Sequence, residues 1–336
     1  MASLRSAYDG LLVDLDGVVY VGTDAVPHAV EQLTGAQQAG LQVGYVTNNA
    51  NRPAPLVAEH LRELGLEVSD NQVVTSAQIG AGLIRQKFGP GARVLAVGGP
   101  GVRLALEAEG LVPVDSQEGS PVAVMQGYGP DVGWRQLAEA AYCIHAGAVW
   151  VATNTDMTIP QARGIAPGNG TLVAAVEAAV QSPPQVAGKP QAVAFTAAAE
   201  RLASTRPLVI GDRLDTDIEG GNAAGFDTLL VLTGVHGYRE LVAAPRTQRP
   251  TLIAADLRAL EDEPEQLTMG PHGSASCGAT EVRIEGDRVH RTRGTDQVEA
   301  IRATLAVVWA ASDDGRAVDL SEELLRTVTS PVGGGG

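Results

Sequence analysis

The stretch LLVDLDGVVY (residues 11–20) decides how the rest of the chain is read. Leu11, Leu12 and Val13 lead into Asp14, Leu15, Asp16 and Gly17. An unbroken apolar run of this kind predicts a strand buried on both faces, as in a parallel sheet. Residues two apart on a strand share a side, so Asp14 and Asp16 project together from its end. A buried carboxylate is costly unless something compensates it. Two readings stand on this stretch alone. Asp-Gly is a turn signal and the acids solvate a loop, or the acids hold a metal and a substrate in the crevice at the carboxyl ends of α/β strands.

The neighbouring sequence extends the pattern. Residues 27–39 read as a helix ending at Gly40, 41–47 as a strand, 53–64 as an amphipathic helix stopped by Gly65, and 72–76 as a third strand. Strand and helix alternate again through 92–98, 122–127 and 148–153. A break at Pro183-Pro184 precedes a helix starting at Lys189 and strands at 207–212 and 227–232. The expected fold class is α/β: a doubly wound parallel-sheet, Rossmann-like core with an inserted α/β cap domain and a small α+β C-terminal appendage. The expected boundaries are 1–84 and 185–262 for the core, 85–184 for the cap and 267–330 for the appendage. In the last, 279–292 alternates with period two around a Gly-Asp turn, predicting a hairpin. Residues 296–311 predict a helix with Val298, Ile301, Leu305, Val308 and Trp309 on one face. That face must pack on its own hairpin or on another chain, which leaves a homodimer open. The closing GGGG predicts a disordered tail.

Composition narrows the partners. The 336 residues are 44% apolar and 19% charged, as in a globular protein with a sizeable core. The 24 basic and 39 acidic residues give a net charge of −15, which argues against a nucleic-acid partner. No apolar run approaches 18 residues, so no membrane span is expected. The start MASLRSAYDG lacks a signal-peptide core, which predicts a cytoplasmic protein. Cys143 and Cys277 are far apart and predict two reduced thiols. His272 and His290 read as surface residues.

Three further stretches carry candidate chemistry. YVTNNANR (45–52) ends a strand in Thr47, Asn48 and Asn49, whose donors suit an oxyanion, or which form an Asn-rich loop capping a helix. VAGKPQAV (186–193) puts Lys189 at a predicted helix start, where the dipole disfavours a cation unless an anion is bound. It reads equally as an exposed lysine. VIGDRLDTDIEGG (209–221) groups Asp212, Asp215 and Asp217. Clustered carboxylates favour a hard cation such as Mg²⁺, or decorate a helix N-terminus.

In this order, DxDG, the Thr-Asn-Asn strand end, Lys-Pro and GDRLDTD together resemble the four motifs of the haloacid dehalogenase-like superfamily of phosphatases. The insertion between the second and third motifs is similar to the large α/β cap of its nitrophenylphosphatase-like branch. TNTDMTIPQARGIAPGNGTLVAAVEAA (153–179) is similar to that branch's cap strand and substrate loop. The resemblance covers about residues 8–260 and implies a Mg²⁺-dependent phosphomonoester hydrolase acting on a small phosphorylated metabolite. It implies Asp14 as nucleophile and Asp16 as general acid–base. Thr47, Asn48, Asn49 and Lys189 would hold the phosphoryl group. Asp14, the Asp16 carbonyl and Asp212 would hold the metal, with Asp217 behind them. Asn154, Asp156 and Arg163 are the cap candidates for reading the alcohol, though Asp156 reads more readily as a turn residue. The added tail is similar in arrangement to bacterial members acting on glycerol 3-phosphate, which implies glycerol recycling from phospholipid breakdown. Phosphoglycolate, pyridoxal phosphate and a broad sugar-phosphate range are the alternative substrates. A non-catalytic phospho-ligand binder is the alternative of another class, against which the intact acid set speaks.

Overall fold

The computed structural model describes residues 3–330 apart from Ala162. The expected glycine tail lies outside the described residues. Six parallel strands form the first sheet, in the order Leu252–Ala254, Asp227–Val231, Pro207–Gly211, Gly10–Val13, Gln42–Thr47 and Val73–Thr75. Gly10–Val13 is buried at every position, because helices cover both faces of a parallel sheet. From it the chain first runs outward on one side, through Gln42–Thr47. It returns only after residue 200 to pair on the other side. Gly10–Val13 is therefore the strand where the winding reverses, and the crevice opens at its carboxyl end.

Between the two halves a second parallel sheet runs in the order Gln185–Val186, Val149–Ala152, Ala123–Gln126, Arg93–Val97 and Val112–Val114. Here the boundary expected at 185 is corrected: Gln185 and Val186 add an edge strand to the inserted sheet before the chain re-enters the first one. An antiparallel hairpin, Thr158–Gln161 with Gly164–Pro167, projects from this unit.

The C-terminal unit is larger than a hairpin and a helix. Its sheet has five strands, with Leu267–Gly270 at one edge and Asp319–Leu320 at the other. The hairpin Thr280–Glu285 with Arg288–Arg293 lies inside it, and helix Gln297–Asp313 packs over it. Ile301, Leu305 and Val308 share one buried cluster with Ala275, Val282 and Val289 of that sheet. The same cluster takes in Leu230, Leu241 and Ile253 of the first unit. Trp309 Nε1 donates to the Leu241 carbonyl at 2.9 Å, and Arg249 pairs with Asp313. The helix's apolar face is thus satisfied within the chain. Cys143 and Cys277 are buried free thiols. No helix among the described residues is long and apolar enough to cross a membrane.

Candidate active site

Three strand ends meet at the reversal. Asp14 continues Gly10–Val13 by one residue, and its N–H donates to the Ile210 carbonyl at 2.9 Å. Thr47 ends the strand on one side, and Asp212 follows the strand on the other. The local sequence makes these ends abrupt. Gly17 turns the chain with φ +86°, and a Cβ there would lie 2.5 Å from Asp212 Oδ2. Glycine is needed both for the backbone angle and for the approach.

Lys189 binds the cluster together. Its ammonium donates to Asp14 Oδ1 at 2.5 Å, Asp217 Oδ1 at 2.6 Å and the Val46 carbonyl at 3.1 Å. Lys189 is 3% exposed, Asp14 8%, Asp212 1% and Asp217 fully buried. Lys189 is not at a helix start; the helix is Ala192–Leu202. Its N–H donates to Asn48 Oδ1 at 2.8 Å and its carbonyl accepts from Asn48 Nδ2 at 3.1 Å. These bonds and the following Pro190 hold it out of the helix. Asp215 and Asp217 likewise do not open an ordinary α-helix. Leu214–Ile218 is a wider π turn, in which the Ile218 N–H reaches the Arg213 carbonyl. The turn directs Asp217 inward. Asp215 is left outside, in a bidentate pair with Arg213 at 3.0 and 2.7 Å.

The charge count defines what is missing. Asp14, Asp212 and Asp217 each offer an oxygen within 4.8 Å of the others, against the single ammonium of Lys189. Two negative charges remain over, which a divalent cation would balance. Asp212 Oδ2 accepts the Val235 N–H at 2.7 Å, while the buried Oδ1 has no hydrogen-bond partner. An orphaned, buried carboxylate oxygen beside two more carboxylates fits Mg²⁺, which takes oxygen ligands and tolerates no thiol or imidazole here. Burial pushes Asp14 well above the usual carboxylate range; Asp217 and Asp212 add to this and Lys189 opposes it. Burial, then Asp217, pushes Asp212 up to about 7. Burial acts to lower Lys189, but Asp14 and Asp217 outweigh it and its pKa is raised.

This has a measurable consequence. Without metal, the folded state holds on Asp212 a proton that the unfolded chain releases near pH 4. Stability of the metal-free protein therefore falls as pH rises from about 4 towards about 7. Metal binding displaces that proton, so its affinity grows over the same window. Added Mg²⁺ is expected to raise the melting temperature more at pH 8 than at pH 5.5. Equal increments at both values would place the metal elsewhere.

The remaining candidates divide into open and occupied groups. Asp16 stands exposed at the crevice floor. Water reaches it, yet protein surrounds it, and this desolvation raises its pKa while Lys189, Arg52 and His60 act against it. Thr47 Oγ1 accepts the Asn49 N–H at 3.1 Å and keeps its own proton to donate. Asn49 uses its side-chain oxygen to accept the Asn51 N–H at 3.0 Å, which shapes the loop. Asn154 is 4% exposed with both amide ends engaged: Nδ2 donates to the Asn48 carbonyl at 2.7 Å, and Oδ1 accepts the Asp156 N–H at 3.2 Å. Its place is that of a strut between the cap and the loop that follows Thr47. Asp156 is half-buried and faces Asn48. Arg163 is exposed beside the tip of the hairpin and makes no ion pair among the described residues.

Sequence reading missed two residues of this strut. Asn169 Nδ2 donates to the Asn154 carbonyl at 2.7 Å, and Ser76 Oγ donates to the Asn48 carbonyl at 2.8 Å. Both open helices, so each reads locally as an ordinary helix-start residue.

A family model described as haloacid dehalogenase-like hydrolase matches residues 11–112, and a HAD-hydrolase-like model matches 186–260. The chain is 44% identical over 330 residues to the D-glycerol 3-phosphate phosphatase of Mycobacterium tuberculosis, covering 97% of this chain and 92% of that protein. It is 35% identical over 261 residues to the acid sugar phosphatase of Staphylococcus haemolyticus, covering 77% and 97%. The crystal structure of glycerol phosphate phosphatase from Mycobacterium tuberculosis in complex with magnesium superposes with a TM-score of 0.88 at 41% identity, over 98% of this chain and 99% of that one. The p-nitrophenyl phosphatase from Archaeoglobus fulgidus does so with a TM-score of 0.70 at 27% identity, over 75% and 98%.

Proposed function

From the premise that the chain belongs to the haloacid dehalogenase-like hydrolases, we propose that it is a Mg²⁺-dependent phosphatase whose substrate is glycerol 3-phosphate. One observation carries the chemistry: Lys189 joins Asp14 and Asp217 in a buried cluster that is short of two positive charges and holds an orphaned Asp212 oxygen. The substrate rests on the similarity along nearly the whole chain to a D-glycerol 3-phosphate phosphatase.

Asp14 is the nucleophile. Its free carboxylate oxygen attacks phosphorus in line, and the bond to the alcohol oxygen breaks as the aspartyl-phosphate forms. Asp16 gives its proton to the departing alkoxide. It then takes one from the water that attacks the aspartyl-phosphate, releasing phosphate and restoring Asp14 as the carboxylate and Asp16 as the acid. Thr47 and the backbone after it donate to the phosphoryl oxygens as charge builds on them, and Lys189 turns to them the N–H that it gives to Asp14 in the resting site. Asp14, Asp212 and the Asp16 carbonyl would hold Mg²⁺, with Asp217 keeping Lys189 in place. When bound, Mg²⁺ shields Asp14 from the incoming anion and polarises a phosphoryl oxygen. The reading places the enzyme in the cytoplasm, in keeping with two free thiols.

Phosphate release tests it. Turnover of glycerol 3-phosphate should need Mg²⁺ and should exceed turnover of phosphoglycolate and pyridoxal phosphate in kcat/KM. No release from any phosphomonoester by folded protein would end the reading. The role of Asp16 has its own signature. Asp16→Ala should slow an alkyl phosphate by about 10²–10⁴ and nitrophenyl phosphate much less, since nitrophenolate leaves without a proton. Equal losses would remove Asp16 from the acid step.

A further inference from the structure

One side of Asp212 is held by a loop from further along the chain. Strand Asp227–Val231 leads through residues 232–237 into the five-residue helix Tyr238–Val242. In that loop the Val235 N–H donates to Asp212 Oδ2 at 2.7 Å, and the His236 N–H donates to the Asp212 carbonyl at 3.2 Å. His236 Nδ1 accepts the Leu214 N–H at 2.9 Å, which ties the loop to the π turn that directs Asp217 inward. Holding Oδ2 fixes the rotamer of the carboxylate and leaves the orphaned Oδ1 as its oxygen for the metal.

The loop has little packing of its own. Gly234 and Val235 are exposed, and a helix of five residues depends on packing to persist. The C-terminal unit supplies that packing. Tyr238 and Leu241 are buried in one apolar cluster with Ile301, Leu305 and Val308 of helix Gln297–Asp313. Leu214 and Ile218 of the π turn belong to the same cluster. Trp309 locks the contact. Its Nε1 donates to the Leu241 carbonyl at 2.9 Å, and the Arg249 guanidinium lies 5.1 Å from the centre of its ring. The Leu241 N–H donates in turn to the Gly237 carbonyl at 3.1 Å. A continuous run of contacts thus joins the C-terminal unit to both turns that flank Asp212.

Resting on the Mg²⁺-dependent reading above, we propose that the C-terminal unit buttresses the metal site, with Trp309 as a positioning residue. Trp309 anchors helix Tyr238–Val242, which keeps the Val235 N–H on Asp212 and His236 on the π turn. Loosening that anchor frees the Asp212 carboxylate to rotate, so that ordering it again is charged against metal binding.

Trp309→Phe removes the donor and keeps an aromatic ring in the cluster; Trp309→Ala removes both. Mg²⁺ is titrated by calorimetry into each folded, metal-free, full-length protein at pH 8, without substrate. The dissociation constant is expected to rise about threefold or more in Trp309→Phe, and further in Trp309→Ala, as for residues that modulate a site without touching its ligand. At saturating Mg²⁺, kcat on nitrophenyl phosphate should stay within about twofold of the wild type. Asp296→Ala removes the cap from the opposite end of the same helix. It should lower the melting temperature and leave the dissociation constant unchanged. Wild-type Mg²⁺ affinity in both Trp309 variants, or an equal weakening in Asp296→Ala, overturns the proposal. Should the Trp309 variants not fold, hydrogen exchange in the wild type decides. By reciprocity, Mg²⁺ should slow exchange of the amides of Tyr238–Val242 and of the last turns of Gln297–Asp313. Protection that stops at Gly237 overturns the proposal. A wild type that binds no Mg²⁺ overturns the reading of the metal site, and this inference with it. Mg²⁺ binding weakened in the Trp309 variants of a protein that releases no phosphate supports the buttress and overturns the phosphatase reading alone.

Discussion

Asp14→Asn should abolish turnover without lowering the melting temperature of the metal-free protein. Loss of a nucleophile is expected to reduce kcat by on the order of 10⁴ or more. The stability half of the expectation comes from the charges. Asp14 is one of three buried carboxylates facing one ammonium, and burial and its acidic neighbours already push its pKa up. An amide of the same size removes one of the repelling charges. Lys189 keeps Asp217 at 2.6 Å and the Val46 carbonyl at 3.1 Å, so it is not left unpaired. Phosphate release and thermal melting, measured on the same preparation, check both halves. Residual turnover above about 1% would remove Asp14 as nucleophile. A large fall in melting temperature would mean that the Lys189–Asp14 bond outweighs the repulsion within the cluster.

Lys189→Ala should have the opposite stability signature. Removing the Lys189 ammonium from among Asp14, Asp212 and Asp217 leaves three buried carboxylates without an ion-pair partner among the described residues. Breaking a buried ion pair from one side typically costs about 3–5 kcal/mol. Turnover should also fall by about 10²–10³ or more, because a donor to the developing phosphoryl charge is lost. The two effects separate with metal. Mg²⁺ would recover part of the stability by supplying positive charge to the same oxygens, and it would not recover the activity. Melting curves of wild type and variant at pH 8, with and without Mg²⁺, show this directly. If Lys189→Ala melts like the wild type, the carboxylates are protonated in the metal-free protein at that pH and the charge count does not apply.

The two variants touch each other at 2.5 Å and give opposite shifts in stability for the same loss of function. Ordinary core damage would lower stability in both. The contrast therefore distinguishes a site organised by charge balance from one held only by packing.

Much of this was legible in the residues alone. The apolar run Leu11–Val13 ending in Asp14, and the strands ending at Thr47 and ahead of Asp212, are local patterns. Burial on both faces forces a parallel sheet, and a doubly wound sheet forces those ends together. The three acids of GDRLDTD already offered a cation site as one of two readings. What the sequence left open depends on contacts between distant residues. Lys189 stays out of the helix that its neighbours favour because Asn48, 141 positions away, takes both of its backbone groups. Asp217 turns inward and Asp215 outward because of a π turn, although the two are chemically alike. Asn154, Asp156 and Arg163 all stood as candidates for the alcohol. Only the folded cap shows the first spent on the Asn48 carbonyl and the second aimed at the Asn48 amide. The apolar face of Gln297–Asp313 called for a partner without naming one, and packing supplied it within the chain. Hydrophobic periodicity is written locally and fixes the elements and their layering. A side-chain amide or carboxylate can bond to many partners, and which one it meets is decided by the packing of elements far apart in sequence.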